Sequence, residues 1–232
     1  MVTGLTPGRR RGVEILDNPS VDPELMKRSM RDVERANVMF GGRRAALAEL
    51  EDTLRKLPDG ATFLDVGTGR GDIPAALKER AGNLGKRIRT IGIDQSLPLV
   101  TGHYPGNDVI VRGNALSLPF ADSSVDVVLA SQVLHHFPES AAIAFVREMN
   151  RVARHRVVIS DLRRSVVAAT GLWVGSFLLG FHPVSRHDGV VSVMRGFVPS
   201  ELAEIVTNAT GQRPVITRRL GFRLTTSWTP ER

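Results

Sequence analysis

Apolar and polar positions along the chain fall into two rhythms. Over residues 23–56 the spacing is helical with a break at Gly41-Gly42, which predicts two helices at roughly 23–39 and 43–56. Proline favours a first helical turn, so Asp22-Pro23 opens the first of them. Pro58-Asp59-Gly60 then marks a turn. Beyond it, short apolar runs alternate with helical stretches. Residues 61–66, 88–93, 108–112, 125–130 and 156–160 are predicted strands, and helices are predicted near 72–81, 96–103 and 139–152. Continuous apolar runs mark strands covered on both faces. The alternation therefore predicts an α/β fold, a parallel sheet with helices on both sides.

The ends of the chain depart from this rhythm. Residues 1 to about 22 read as irregular, with Pro7, Gly8, Gly12 and Pro19. Residues 165–181 are strongly apolar but broken by Gly171, Gly175 and Gly180. A helix is predicted at 199–210, with Pro199 and Ser200 at its start. Two terminal strands, near 213–218 and 222–228, would pair around Gly221.

Composition narrows the function classes. A chain of 232 residues suits one elaborated domain. It has no cysteine, which excludes disulfides, thiol nucleophiles and Cys-based zinc sites and fits the reducing cytoplasm. The start, MVTGLTPGRRRGVEIL, has positive charge but no apolar segment behind it, so no signal peptide is expected. The formal net charge is +7, and of 31 basic residues only Lys27, Lys56, Lys78 and Lys86 are lysines. These charges are scattered, without a long basic run or interleaved aromatics. A specific nucleic-acid partner is therefore not expected.

The stretch LDVGTGRGDIP, residues 64–74, ends the first predicted strand with the spacing Asp65-x-Gly67-x-Gly69-x-Gly71. Open parallel sheets bind ligands outside the carboxyl ends of their strands. Glycine there lets the backbone approach a ligand without a Cβ clash. The spacing is not the G-x-G-x-x-G of dinucleotide folds. It is followed by Asp94 in TIGIDQS, at the end of the second strand, and by RGNALSLPFADSSVDVVLASQVLHHF over 112–137. In this order the three stretches resemble the motifs of class I S-adenosylmethionine-dependent methyltransferases. The likeness is to the small-molecule group related to the enzymes of ubiquinone and menaquinone biosynthesis, and it covers about residues 60–163.

That resemblance implies a Rossmann-like, seven-stranded, mostly parallel sheet with an antiparallel last strand. Residues 1–59 would form a helical cap, 60–163 the cofactor-binding core, 164–198 an apolar lid before the sixth strand, and 199–232 the closing helix and strand pair. It implies S-adenosylmethionine as cofactor. The methionyl end would lie near Asp65, Gly67, Gly69, Gly71 and Ser131. The ribose hydroxyls would meet Asp94, with Gln95 beside it, and adenine would lie at Asn114 and Ala115, with Leu97 a candidate for its face. The family usually has Asp at the position of Asn114. Asn keeps an acceptor oxygen but loses the charge.

Methyl transfer from a sulfonium is an in-line displacement in which the protein mainly aligns the partners and excludes water. A hydroxyl acceptor also needs a base. His135 and His136 follow the fourth strand and suit that role, His136 being preferred, or else they only shape the pocket. Asp161 ends the fifth strand and would orient acceptor or base, or cap a helix beside Arg163 and Arg164. Arg186 and His187 line an acceptor pocket on one reading and form a surface ion pair on the other. The apolar segment carrying Trp173 reads as a lid for an apolar or aromatic acceptor such as a phenol, quinone or polyketide. Core, dimer interface or peripheral membrane contact remain open for it. The [D/N]-P-P-[Y/F] motif of base amino-group methyltransferases is absent, Ala130-Ser131-Gln132-Val133 standing there. RNA or protein methylation rests on net charge alone, and a non-catalytic cofactor-binding scaffold is the other alternative. No metal is expected.

Overall fold

The computed structural model describes residues 6–10, 12–18, 20–102 and 104–231. The first five residues of the stretch read for a leader lie outside the described residues, as do Pro19 and His103. Two helices come first, α1 (Pro23–Met39) and α2 (Gly42–Lys56). The Asp22 carboxylate accepts from Leu25 N to cap α1, and Gly41, at φ 78°, makes the break before α2. The core follows as β1 (Ala61–Val66), α3 (Asp72–Asn83), β2 (Ile88–Asp94), a single turn α4 (Leu97–Val100), β3 (Val109–Arg112), β4 (Val125–Ser131), α5 (Glu139–Val152) and β5 (Ala153–Leu162). The chain ends with α6 (Val166–Leu178), α7 (Pro183–Arg195), α8 (Pro199–Thr210), β6 (Thr217–Arg219) and β7 (Arg223–Trp228).

The seven strands lie in the order β3-β2-β1-β4-β5-β7-β6. Strands β1 to β5 are parallel, and β7 runs antiparallel to β5 and β6. The chain moves outward from β1 to β3, then returns to the other side of β1. The carboxyl ends of β1 and β4 thus diverge into a crevice, with Asp65 opposite Leu129 and Ser131 opposite Ser160.

Alternation along the buried strands feeds two cores. Val128 and Ala130 pack with Phe145, Val146 and Met149 of α5 and Leu202 of α8. Val127 and Leu129 pack on the other face with Leu47, Leu50 and Leu54 of α2 and Leu77 of α3. Glu49 of α2 ties this face to the antiparallel edge, accepting from Thr225 Oγ1 at 2.6 Å and Arg219 Nη2 at 2.7 Å.

Four elements differ from the expectation. The stretch near 96–103 is only one turn. The first terminal strand begins at Thr217, because Pro214 has no N–H for a ladder. Strand β5 runs over 153–162, longer than the apolar run alone suggests. The apolar stretch 165–181 becomes α6, capped by Ser165, which accepts from Ala168 N. It stops at Leu178, and Gly180 turns the chain at φ 65° into α7, for which the sequence pattern predicted no element. Helix α6 has 13 residues, and among the described residues no helix is long and apolar enough to cross a membrane.

Phe145 has no exposed surface and joins α5 to the sheet. Phe145→Ala should lower unfolding stability by about 3–5 kcal/mol, as for other large buried aromatics. Urea denaturation followed by circular dichroism measures this, with unchanged cofactor-site residues as the control.

Candidate functional site

The turn after β1 is built by left-handed glycines. Gly67 has φ 73°, and a Cβ there would collide with the Val133 side chain. Gly71, at φ 70°, starts α3 and packs against Gly106 and Asn107. Gly67 and Gly69 line the site, whereas Gly71 shapes the turn from behind and lines neither cavity described below. Asp94, at the end of β2, fastens the turn: Oδ2 accepts from Gly69 N at 3.0 Å and Oδ1 from Ser96 N at 2.9 Å. Burial raises the Asp94 pKa, against the hydrogen bonds from Ser96, Gly69 and Gln95. Each oxygen keeps a further lone pair for a ligand hydroxyl.

Two adjoining cavities open at this edge and share Met30, Val33, Gly67, Gly69 and Gln132. The smaller, about 80 Å³, is acidic, lined by Asp65, Asp72, Glu34 and Ser131. Burial pushes the Asp65 carboxyl up to about 8, opposed by a hydrogen bond to Thr68 and reinforced by the charges of Asp72 and Asp94. Burial also raises Asp72. Ser131 Oγ and Asp72 Oδ2 are buried with no hydrogen-bond partner. The larger cavity, about 730 Å³, holds Asp94, Gln95, Asn114 and Ala115 at one end. Asn114 Oδ1 accepts from Leu116 N at 2.9 Å, so its side chain is partly engaged in its own turn. The cavity continues under Met26, Met30, Val33 and Ala36 of α1, at helical spacing, to Val167, Ala168, Gly171 and Leu172 of α6.

His135 lies on the wall of the larger cavity in a 3₁₀ turn, Leu134–His136, and is 3% exposed. Its Nδ1 lies 2.7 Å from Asp161 Oδ1, and its backbone N donates to Asp161 Oδ2 at 3.2 Å. Asp161 is fully buried. Burial alone would raise its pKa, but the charge and hydrogen bond of His135 and the Leu162 N–H bring it below the usual carboxylate range. An ionised Asp161 accepts a hydrogen bond from Nδ1–H, which leaves Nε2 as the nitrogen with a free lone pair. That Nε2 is buried and has no partner. Asp161 itself does not line the cavity; it acts through His135.

His136 is held differently from His135. His136 Nδ1 is held 3.0 Å from Asp17 Oδ1. Burial disfavours its charge, yet the hydrogen bond to Asp17 and the charges of Glu14, Asp17 and Asp161 outweigh this and raise its pKa. Glu14, His135 and His136 each bring one ligand atom within 4.8 Å of the others, a spacing that suits a cation. The Arg195 guanidinium already provides positive charge there, with Nη1 2.9 Å from Glu14 Oε1, 2.8 Å from Asp17 Oδ2 and 3.4 Å from His136 Nδ1.

The three residues expected on the acceptor side lie elsewhere. Trp173 is half exposed and meets the Phe177 ring edge-on at 4.9 Å, on the outer face of α6. Arg186 stacks on the same Phe177 ring at 3.3 Å and donates to Ser176 Oγ at 3.0 Å, pinning α7 to α6. His187 pairs with its neighbour Asp188 at 2.8 Å. None of the three lines the cavity, because a helix turns successive residues 100° apart and Leu172, Ser185, Asp188 and Gly189 take the inward positions instead.

Several lining residues were missed. Gln132 and Phe222 carry φ of 57° and 55°, an uncommon conformation for residues with side chains, and both face the larger cavity. Arg223 is a buried charge on the same wall. Its charge near the start of the strand predicted over 222–228 was the available signal. Glu14, Leu16 and Asp17 reach the cavity because Asp188 accepts from Ile15 N and Leu16 N, both at 2.9 Å. No local pattern announces that contact.

Comparison with known proteins agrees with this geometry. A family model described as a methyltransferase domain matches residues 64–159. An uncharacterised methyltransferase of Mycobacterium sp. (strain KMS) is 32% identical over 161 residues, which cover 68% of this chain and 54% of that protein. The chain thus spans about half the length of the curated relatives it matches. A SAM-dependent methyltransferase from Aquifex aeolicus superposes with a TM-score of 0.57 at 17% identity, covering 91% of this chain and 100% of the other. The magnesium protoporphyrin IX methyltransferase of Synechocystis PCC 6803 with bound SAH gives 0.53 at 17% identity, over 86% and 84% of the two chains. Strand order, glycine turn, acidic β2 terminus and matched core agree: the core of this chain is a class I S-adenosylmethionine-dependent methyltransferase domain.

Proposed function

We propose that the chain transfers a methyl group from S-adenosylmethionine to a hydroxyl of an apolar or aromatic small molecule, with His135 as the base. One observation carries this reading: a buried histidine, oriented by a buried carboxylate, presents an unpartnered Nε2 to a largely apolar cavity that adjoins the glycine turn.

The residues fit the cofactor. An ammonium group has three donors. The smaller cavity offers it two buried carboxyls, Asp65 and Asp72, and the orphaned Ser131 hydroxyl. Asp94 has lone pairs left for ribose hydroxyls, and Asn114 and Ala115 stand where adenine would lie. When bound, the sulfonium supplies an activated methyl group. The chain aligns the acceptor, keeps water out under α1 and α6, and accepts the hydroxyl proton at His135 Nε2. Asp161 keeps the ring in the productive tautomer and stabilises the imidazolium once the proton has arrived. A radiolabelled methyl donor offered to phenols, quinones and RNA tests the proposal. Label in the phenolic pool is expected; label in RNA alone would overturn it.

Three outcomes follow from the named residues. Hydrogen bonds to a charged group contribute about 1.5–3 kcal/mol. Asp94→Asn, which keeps one acceptor, should weaken S-adenosylhomocysteine binding by roughly tenfold or more in calorimetry.

Asp65 holds its proton up to a pKa of about 8 when folded and only to about 3.8 when unfolded. Between these values the folded state binds the extra proton, so this group's contribution to stability declines as pH rises. The Tm of the ligand-free protein should therefore fall less steeply over that range in Asp65→Asn than in wild type. Equal slopes would show that Asp65 is ionised throughout.

His135→Ala should lower kcat about 10²–10⁴-fold with a phenolic acceptor. Activity should partly return at high pH, where a phenol of pKa about 10 ionises unaided. Asp161→Asn should lower kcat with little change in cofactor affinity, whereas His136→Ala should keep most of it.

A further inference from the structure

Arg223 opens β7 and pairs in register with Leu162, the last residue of β5, at the carboxyl edge of the sheet. It is 5% exposed and lines the larger cavity. Its side chain makes no hydrogen bond or ion pair with any described residue, and its Nε is buried without a partner. Burial lowers its pKa to about 10, offset in part by the charge of Asp161, so the guanidinium stays charged at neutral pH. Asp161 cannot serve as its ion-pair partner, being committed to His135 and to Leu162 N. Two other arginines near this edge are matched by carboxylates, Arg195 by Glu14 and Asp17 and Arg164 by Glu201.

The surroundings of Arg223 add positive potential. A Cβ on Gly42, the first residue of α2, would lie 3.2 Å from Arg223 Nε and 3.3 Å from Nη2. The guanidinium therefore sits beside the N-terminus of α2. That helix has no side-chain cap and no acidic residue in its first turn. Free N–H groups and the helix dipole make such an end positive. The nearby Asn37 Oδ1 accepts from Gln132 Nε2 instead. Phe222, held at φ 55° and facing the cavity, sets the backbone just before Arg223. An unmatched buried charge is costly, and a planar guanidinium is suited to two parallel hydrogen bonds with a carboxylate.

We infer that Arg223 is the receptor for a carboxylate carried by a ligand in the larger cavity. Two molecules could bring it, namely the cofactor through its methionyl carboxylate, or the acceptor as an apolar body bearing one carboxylate. The first source rests on the methyltransferase reading, and the second does not.

The test compares wild type, Arg223→Met and Arg223→Lys by calorimetry. One pair of probes is S-adenosylhomocysteine and its decarboxylated analogue. The other is 2-naphthoate and 2-naphthamide. Arg223→Met should bind the carboxylate member of at least one pair about tenfold or more weakly without weakening binding of the partner that lacks the carboxylate. Loss confined to S-adenosylhomocysteine assigns the cofactor carboxylate; loss confined to naphthoate assigns the acceptor's. Arg223→Lys should keep the preference for the carboxylate in reduced form. Removing an unmatched charge should also hold or raise the Tm of the ligand-free protein. Equal loss for probes with and without the carboxylate, no loss for any, or a fall in Tm would overturn the inference. If wild type binds naphthoate but neither nucleoside, the methyltransferase reading fails while Arg223 is still tested.

Discussion

Buried charge at the carboxyl edge of the sheet is the constraint on which the rest of this structure depends. Asp65, Asp94, Asp161 and Arg223 stand at or near strand ends, where parallel strands bring backbone and ligand together. Taking an ion out of water costs several kcal/mol unless hydrogen bonds or an opposite charge replace the lost hydration. Two of these groups are satisfied from within. Asp94 takes the amides of Gly69 and Ser96, so the two loops beside the crevice are held to one another. Asp161 takes the His135 ring and two backbone amides. Asp65 and Arg223 are not matched in this way. One is pushed toward its neutral form and the other remains a lone cation. Asp94 and Asp161 are thus fixed by groups of the chain itself, whereas Asp65 and Arg223 are not.

The same constraint explains the N-terminal strap. Glu14 and Asp17 bring acidic charge to His136 and Arg195, and Asp188 holds the strap through the amides of Ile15 and Leu16. Asp17 is held near a pKa of about 2, burial being outweighed by His136 and Arg195. Closing the cavity therefore creates a charged rim around His135, whose Nε2 stays free. Glu14 Oε1 lies 4.0 Å from that nitrogen. Of the two histidines, His136 is engaged by this rim, and His135 keeps an unpartnered ring nitrogen.

The sheet core was legible because its signals are local. Strands covered on both faces are largely apolar, as 125–130 are apart from Asp126, and Val127 and Val128 do feed opposite cores. The glycines after β1 are visible as residues that must take positive φ. Asp94 is visible because an acid at the end of an apolar strand needs a reason. The acceptor side was less legible. Trp173, Arg186 and His187 look functional by residue type, yet helix α6 turns Trp173 outward while Arg186 spends its charge on Phe177 and Ser176. An all-round apolar helix carries no stripe that names its inner face.

The sequence by itself determined the alternation of strand and helix, the glycine turn at the switch point and the acid at the end of β2. These follow from periodicity and from conformations open only to certain residues. Only the tertiary structure decided which histidine is free, that Asp161 orients it, that Glu14 and Asp17 arrive from the far end of the chain, and that Arg223 is buried without a partner. Such facts depend on contacts between residues separated by up to 181 positions, as for Arg195 and Glu14. The physical reason is that protonation and hydrogen bonding are settled by what lies within about 3 Å of an atom in space. No spacing along the chain contains that information.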